Sequence, residues 1–143
     1  MKASTCRVKG LGEVAIRVRN LDAMQKFYAE VIGLEVLRRD EGFVFFKIAE
    51  GYGGHSQVLA LFDANELGFI EAKSPQVTPE TSTLHHIALN IALDDFENER
   101  MRLEELGLNL EVVEHPWLHV RSLYFPDPEG NILEFVSYDE RVR

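Results

Sequence analysis

Glu134 is the residue whose setting most directly suggests chemistry. It shares one face of a predicted strand with Ile132 and Val136, which places a carboxylate among apolar side chains. Such a placement costs free energy unless a partner or a metal ion compensates the charge. The single cysteine excludes a thiolate-rich site, so a metal ion would have to be held by histidine, aspartate or glutamate. Glu134 is therefore a candidate metal ligand.

Two further candidates lie on the first predicted strand of each half of the chain. Side chains alternate between the two faces of a strand, so Val14, Ile16 and Val18 should pack on a core while Glu13 faces away from it. The same alternation turns His86 away from the apolar residues that follow it. The faces that carry Glu13 and His86 are otherwise polar or small, and they should line a wet space.

These strands belong to an internal repeat that organises the chain. Three elements recur in the same order, each displaced by 73 or 74 positions: a strand at Glu13 and His86, a glycine at Gly33 and Gly107, and a strand at Ala60 and Glu134. Chance similarity would not keep this spacing. We predict one domain, residues 1–143, made of two modules over about 11–62 and 84–138. Prolines, serines and threonines over 63–83 indicate an exposed linker between them.

Each module is predicted to contain a strand, a helix and three more strands. The first helix is predicted over Asp22–Ile32, with Asp22 as its N-cap and Gly33 as the left-handed residue that ends it. In the second module Asp94 is the predicted cap, and Gly107 ends the helix. Further strands are predicted at 34–39, 43–49, 56–62, 109–114, 119–125 and 131–137. The fold class is therefore α+β, with the order βαβββ occurring twice.

Composition excludes several classes of function. The 143 residues have ordinary globular proportions, 45 % hydrophobic and 27 % charged. No apolar run reaches the roughly 20 residues of a membrane helix, so a membrane is not an expected partner. The formal charge of −9 and the lack of a basic stripe make nucleic acid an unexpected partner as well. No signal-peptide pattern opens the sequence, and we expect a cytoplasmic location.

Four segments resemble the signature segments of vicinal oxygen chelate proteins, the superfamily of glyoxalases, bleomycin resistance proteins and extradiol dioxygenases. These segments are residues 11–18, 26–35, 85–89 and 124–134, and the resemblance covers almost the whole chain. It implies that the two modules form a half-open mixed barrel and that the protein forms a homodimer. It also implies metal ligands on the first and last strands of each module. By position, the four ligand places fall on Glu13, Ala60, His86 and Glu134.

Ala60 has no donor atom, so the resemblance implies three metal ligands, Glu13, His86 and Glu134. Ring-cleaving dioxygenases use the positions that three ligands leave open for a chelating substrate and dioxygen. Glu13 stands where that branch usually has histidine, which makes the ligand set richer in oxygen. Such a set favours Fe²⁺ or Mn²⁺, and it is also compatible with Zn²⁺ or Ni²⁺.

Three more residues resemble catalytic groups of the dioxygenase branch. Tyr124 matches a tyrosine that can donate a hydrogen bond to a substrate oxygen. His115 matches an active-site histidine, and His55 lies about one position from the expected acid–base histidine. His119 also resembles an active-site histidine, but its strand parity is opposite to that of Tyr124. His85 should point away from the face that carries its neighbour and serve a structural role.

The predicted function is that of a metal-dependent enzyme that chelates vicinal oxygens of a small, aromatic or vicinally oxygenated substrate. Extradiol ring cleavage ranks first because position 60 leaves the site with three ligands. Glyoxalase-like lyase or isomerase chemistry ranks second. The alternative is a metal-free protein that sequesters a drug, of the bleomycin-resistance type. The run Phe43–Phe46 fits a hydrophobic substrate wall, a strand buried on both faces, or a dimer contact.

Overall fold

The structure is a computed structural model that describes residues 6–65 and 84–143. These residues form two compact units, each with one four-stranded mixed sheet. The predicted linker 63–83 lies largely outside the described residues. Its first residue, Asp63, ends a strand, and the next two form a turn. Within the described part of the chain, no helix is long and apolar enough to cross a membrane.

The first unit has the order βαβββ. Its elements are β1 (Glu13–Val18), α1 (Leu21–Lys26) with a π-helical continuation (Phe27–Val31), β2 (Glu35–Arg39), β3 (Phe43–Glu50) and β4 (Ser56–Asp63). The sheet order is β1-β4-β3-β2, with β1 parallel to β4 and the other pairs antiparallel. The helical segment carries the chain from β1, at one edge of the sheet, to β2 at the other edge.

The second unit repeats this arrangement. Its elements are β5 (Ile87–Asn90), α2 (Phe96–Glu105), β6 (Glu111–His115), β7 (Val120–Pro126) and β8 (Ile132–Tyr138). The sheet order is β5-β8-β7-β6, and β5 is parallel to β8. The predicted fold class, α+β with two βαβββ modules, is confirmed. The predicted strands start and end close to the observed ones because alternation and turn residues bound them.

The helix caps differ from the prediction. Asn20 has an extended backbone, and its side-chain oxygen accepts a 3.0 Å hydrogen bond from the Ala23 amide, so Asn20 and not Asp22 caps α1. Asp22 already lies in the first turn, where it accepts a hydrogen bond from Arg39 at 2.9 Å. Asp94 is likewise wrong as a cap, because it lies inside a 3₁₀ turn that precedes α2.

The predicted helix end at Gly33 is confirmed. Gly33 has a φ of +86°, a left-handed conformation that glycine adopts without steric cost. It lets the Leu34 amide turn back and donate a 2.9 Å hydrogen bond to the Tyr28 carbonyl. Gly107, with a φ of +82°, has the same role after α2.

Alternation on the strands divides each sheet into a core face and a second face. In the first unit the core comprises Leu21, Met24, Phe27, Tyr28, Val44, Phe46, Leu59 and Leu61. In the second unit it comprises Phe96, Leu103, Leu123, Phe125, Leu133 and Phe135. Because neighbours along a strand face opposite ways, Ala60 in β4 and Glu134 in β8 lie on the second face.

Strand register shows that the repeat is structural. Ala60 pairs with Ala15 in the first sheet, and Glu134 pairs with Ala88 in the second. On the other side, Ala60 pairs with Phe45, whereas Glu134 pairs with Tyr124. Ala60 and Glu134 are therefore equivalent positions, as the sequence offset predicts.

The C-terminus is anchored through Asp139. Its carboxylate accepts hydrogen bonds from the Arg141 backbone amide and from Arg141 Nε and Nη2 at 2.9–3.0 Å, and Arg121 lies 3.9 Å away. These bonds hold the pKa of Asp139 at about 2, below its ordinary value. The adjacent Val142 is buried, and its carbonyl bonds to His119 Nδ1 at 2.8 Å.

Replacing Asp139 by asparagine should make thermal stability less sensitive to acid. A carboxyl whose folded-state pKa is lowered stabilises the fold above its unfolded pKa of about 3.9, and this contribution is lost as the pH falls further. The melting temperatures of wild type and Asp139→Asn should thus differ at pH 6 and converge between about pH 4 and pH 2. A constant difference across this range, measured by circular dichroism, would show that Asp139 does not titrate in this way.

Candidate functional site

A histidine–carboxylate pair forms the centre of the candidate site in the second unit. His86, just before β5, places Nε2 3.0 Å from Oε2 of Glu134 on β8. The Glu134 side chain is only 8 % exposed, whereas that of His86 is 33 % exposed. Because desolvation of a carboxylate is costly, Glu134 needs partners. It has them in His86 and in the Ser122 hydroxyl, which donates a 2.5 Å hydrogen bond to Oε1.

Tyr124 and His115 extend this cluster. Tyr124 lies on β7 directly opposite Glu134, and its phenol oxygen is 2.9 Å from Nε2 of His115 at the end of β6. The Tyr124 ring meets the His86 ring edge to face at 5.9 Å. Two of the three predicted catalytic residues, Tyr124 and His115, therefore lie in one group with two of the predicted ligands.

The electrostatic setting keeps the Tyr124 phenol protonated. Burial raises the pKa of Tyr124, and the negative charge of the neighbouring Glu134 raises it further. Burial disfavours the phenolate because the charge loses hydration, and Glu134 disfavours it because the two negative charges repel each other. At neutral pH Tyr124 is thus a hydrogen-bond donor rather than a base.

His85 differs from the prediction. Its Nδ1 lies 2.8 Å from Nδ1 of His86, and the two rings meet at 5.1 Å, so the side chains do not point to opposite sides. The reason is that both residues precede β5, where the alternation of an extended strand no longer applies. One nitrogen must donate and the other accept, so the position of the proton on His86 is coupled to that on His85.

The remaining histidines have other surroundings. His119 adopts a left-handed backbone with φ 53°, bonds to the Val142 carbonyl and packs 6.4 Å from Tyr138. It is thus engaged with the C-terminus. His55 belongs to the first unit, where it is exposed in the turn before β4.

Glu13 and Ala60 also belong to the first unit. Glu13 begins β1, is exposed and pairs in register with Val58. Ala60 is fully buried. Within the described residues of either unit, no three histidine, cysteine or acidic side chains are grouped closely enough to hold a metal ion. Of the three predicted ligands, the structure groups His86 with Glu134, and Glu13 belongs to the other unit.

The pair itself fits two neighbouring positions on one metal ion. Bonds of about 2.1 Å that meet at a right angle place their donor atoms about 3.0 Å apart. This is the observed distance between His86 Nε2 and Glu134 Oε2. A metal on Nε2 requires the His86 proton on Nδ1, where His85 Nδ1 can accept it. Geometry and tautomer are therefore both compatible with metal binding.

An aromatic cluster occupies the equivalent face of the first unit. Phe43, Phe45 and Phe62 have ring centroids 4.9–6.0 Å apart. The guanidinium of Arg38 lies 5.6 Å from the centre of the Phe43 ring. All three rings are half-buried, while the intervening Val44 is fully buried. The two faces of β3 thus differ, and the half-buried one offers a surface for flat apolar groups.

Ser122 and His85 are the functional candidates that the sequence predictions missed. Ser122 could have been found, because it is two positions from Tyr124 and must share its face. His85 gave no comparable signal, since its direction depends on where β5 begins.

A chain with two βαβββ modules and a histidine–glutamate pair on a sheet face belongs to the class of vicinal oxygen chelate folds. The family model of the Glyoxalase/Bleomycin resistance protein/Dioxygenase superfamily matches residues 10–135. The protein is therefore a member of this superfamily, as its sequence segments predict.

Relatives in the superfamily carry different activities. The chain is 30 % identical over 138 residues to "Glyoxylase I 4" of Arabidopsis thaliana. The aligned region covers 90 % of this chain and 71 % of that protein. It is also 30 % identical over 126 residues to biphenyl-2,3-diol 1,2-dioxygenase 3 of Rhodococcus globerulus, covering 87 % of this chain and 60 % of that protein. The chain thus spans less than two thirds of this dioxygenase.

Solved structures share the fold. Lactoylglutathione lyase from Agrobacterium tumefaciens is 25 % identical and matches with a TM-score of 0.66 over 92 % of this chain and 96 % of its own. A fosfomycin resistance protein from Listeria monocytogenes, 19 % identical, matches with a TM-score of 0.65 over 95 % and 98 %. At that identity the likeness shows the fold alone.

Proposed function

We propose that the protein is a metal-dependent enzyme in which His86, Glu134 and Glu13 hold a divalent ion that chelates vicinal oxygens of a small organic substrate. The observation that carries the proposal is the 3.0 Å pairing of a histidine nitrogen with a largely buried carboxylate oxygen. Glu13 is included in this ligand set on the resemblance alone. It can come from the same chain or from a second copy. Fe²⁺ or Mn²⁺ suits this oxygen-rich set, and Zn²⁺ or Ni²⁺ is compatible with it.

The side chains around the pair have defined roles in this proposal. The metal ion would supply Lewis acidity to the oxygens of the substrate. Tyr124, protonated at neutral pH, donates a hydrogen bond to a substrate oxygen that gains negative charge. While it does so, its own oxygen accepts from His115 Nε2, which keeps the phenol in place. His55 is proposed as an acid–base group on the resemblance alone.

Extradiol ring cleavage of a catechol-like substrate is the reaction we rank first. Ala60 removes the fourth ligand of the glyoxalase pattern, which leaves room for a substrate that binds through two oxygens. The similarity to a biphenyl-diol dioxygenase supports this choice. Lyase or isomerase chemistry ranks second, supported by the similarity to a glyoxalase I.

A second candidate function is metal-free sequestration of a planar molecule. The aromatic cluster of Phe43, Phe45 and Phe62 favours it, because half-buried rings bind flat apolar ligands. The carboxylate at Glu13, where the dioxygenase branch has histidine, is consistent with it as well.

Oxygen uptake by the iron-loaded protein distinguishes these functions. The protein is purified without chelator, analysed for metal, loaded anaerobically with Fe²⁺ and mixed with a panel of catechols in aerated buffer. We expect one metal ion per site and oxygen consumption matched by a ring-opened product. Stoichiometric metal without oxygen uptake would favour the lyase or isomerase. Binding of planar ligands with no affinity for any divalent ion would favour sequestration.

A further inference from the structure

The two oxygens of Glu134 have different partners. Oε2 lies beside His86, whereas Oε1 accepts the 2.5 Å hydrogen bond from Ser122. Ser122 is fully buried, so no bulk water competes for its hydroxyl. Hydrogen bonds to an ionised carboxylate are among the stronger ones in proteins. The bond therefore fixes the rotation of the carboxylate as well as compensating its charge.

Packing of the sheet does not require a serine at this position. In the first unit the equivalent register place is Phe43, which pairs with Phe62 as Ser122 pairs with Val136. The same strand position thus accommodates a large aromatic ring where the neighbouring strand carries Ala60. In the second unit, where Glu134 replaces Ala60, the equivalent of Phe43 is the small hydroxyl residue Ser122.

We propose that Ser122 is a positioning residue that holds Glu134 as a one-oxygen ligand beside His86. A carboxylate can bind a hard cation through one oxygen or through both. With Oε1 held by Ser122, Oε2 is the oxygen turned towards Nε2 of His86, and a coordination position stays free for a chelating substrate. The inference rests on the proposed function for its metal, but the positioning of Glu134 against His86 is a property of the chain itself.

The test compares Ser122→Ala with a matched control, Ser137→Ala. Ser137 is also buried, and its hydroxyl donates a 3.0 Å hydrogen bond to the Ile91 carbonyl. Because it is three positions from Glu134, it lies on the opposite face of β8. Both variants lose one buried hydroxyl from the same sheet, so a general loss of stability affects them alike.

Two measurements are made on each variant. The first is the Mn²⁺ dissociation constant by calorimetry. We expect it to rise about 10- to 100-fold in Ser122→Ala, as on loss of an outer-shell partner, and to change less than about twofold in Ser137→Ala. The second is the ¹⁵N spectrum of the His86 ring in metal-free protein, assigned by its loss in His86→Gln. We expect its Nε2 signal to shift in Ser122→Ala alone.

The outcomes separate this inference from the proposed function. An unchanged His86 spectrum in Ser122→Ala, or equal effects of both variants, would overturn the positioning role. If the spectrum shifts as expected but the wild type binds no Mn²⁺, Ser122 positions Glu134 and the metal-dependent function fails. If both measurements behave as expected, the two proposals stand together.

Discussion

Replacing His86 by alanine should abolish stoichiometric binding of a divalent metal ion while the fold is retained. The loss should exceed the 10- to 100-fold that removal of an outer-shell partner costs, because Nε2 is a proposed ligand itself. The fold should persist, since the His86 side chain is one-third exposed and lies before β5 rather than in the core. Calorimetric titration with Mn²⁺ measures the loss, and far-UV circular dichroism checks the fold.

Glu134→Ala should lose the metal ion equally but should also be less stable. It leaves the buried Ser122 hydroxyl without its acceptor, and an unsatisfied buried polar group costs about 1–3 kcal/mol. His119→Ala is the control, because His119 belongs to the same unit but bonds to the Val142 carbonyl. Retention of stoichiometric metal in the His86 or Glu134 variant would eliminate that residue as a ligand.

Replacing Tyr124 by phenylalanine should lower turnover about 100- to 1000-fold, the usual cost of losing one donor to a developing anion. The phenol is the group that stays protonated beside Glu134, and phenylalanine keeps the ring against His86. The variant should therefore bind Mn²⁺ like the wild type while kcat falls. The assay uses the catechol with the fastest oxygen uptake.

Tyr138→Phe is the control for the loss of a phenol. Tyr138 is exposed at the end of β8, and its ring contacts His119. Its replacement should leave kcat unchanged. Equal turnover in Tyr124→Phe and the wild type would show that Tyr124 serves packing alone.

The fold could be predicted because the same order of strands and helix is visible in both halves of the sequence. Glu13 and His86, and then Ala60 and Glu134, recur at nearly constant offsets, and strand register places Ala60 and Glu134 in equivalent positions. The cap at Asp22 was predicted wrongly for a local reason. Asn20 and Asp22 are both capping residues, and only the extended backbone at Asn20 decides between them.

The candidate site could be predicted only in part. His86, Tyr124 and Glu134 follow from strand parity and resemblance, and the structure groups them with His115. Strand parity gives only the face that Ser122 shares with Tyr124, whereas its bond to Glu134 depends on the register between β7 and β8. The direction of the His85 side chain could not be predicted, because side chains alternate between two faces only within a strand and His85 precedes β5.

Anomalous diffraction at the manganese edge tests the proposed metal site most directly. Crystals of the protein grown with Mn²⁺ should show one strong peak within about 2.0–2.3 Å of both His86 Nε2 and Glu134 Oε2, with Oε1 still bonded to Ser122. A carboxylate of Glu13, from the same chain or a second copy, should complete the protein ligands. Crystals with no peak at this pair, under conditions where Mn²⁺ saturates the protein, would contradict the assignment of the metal site.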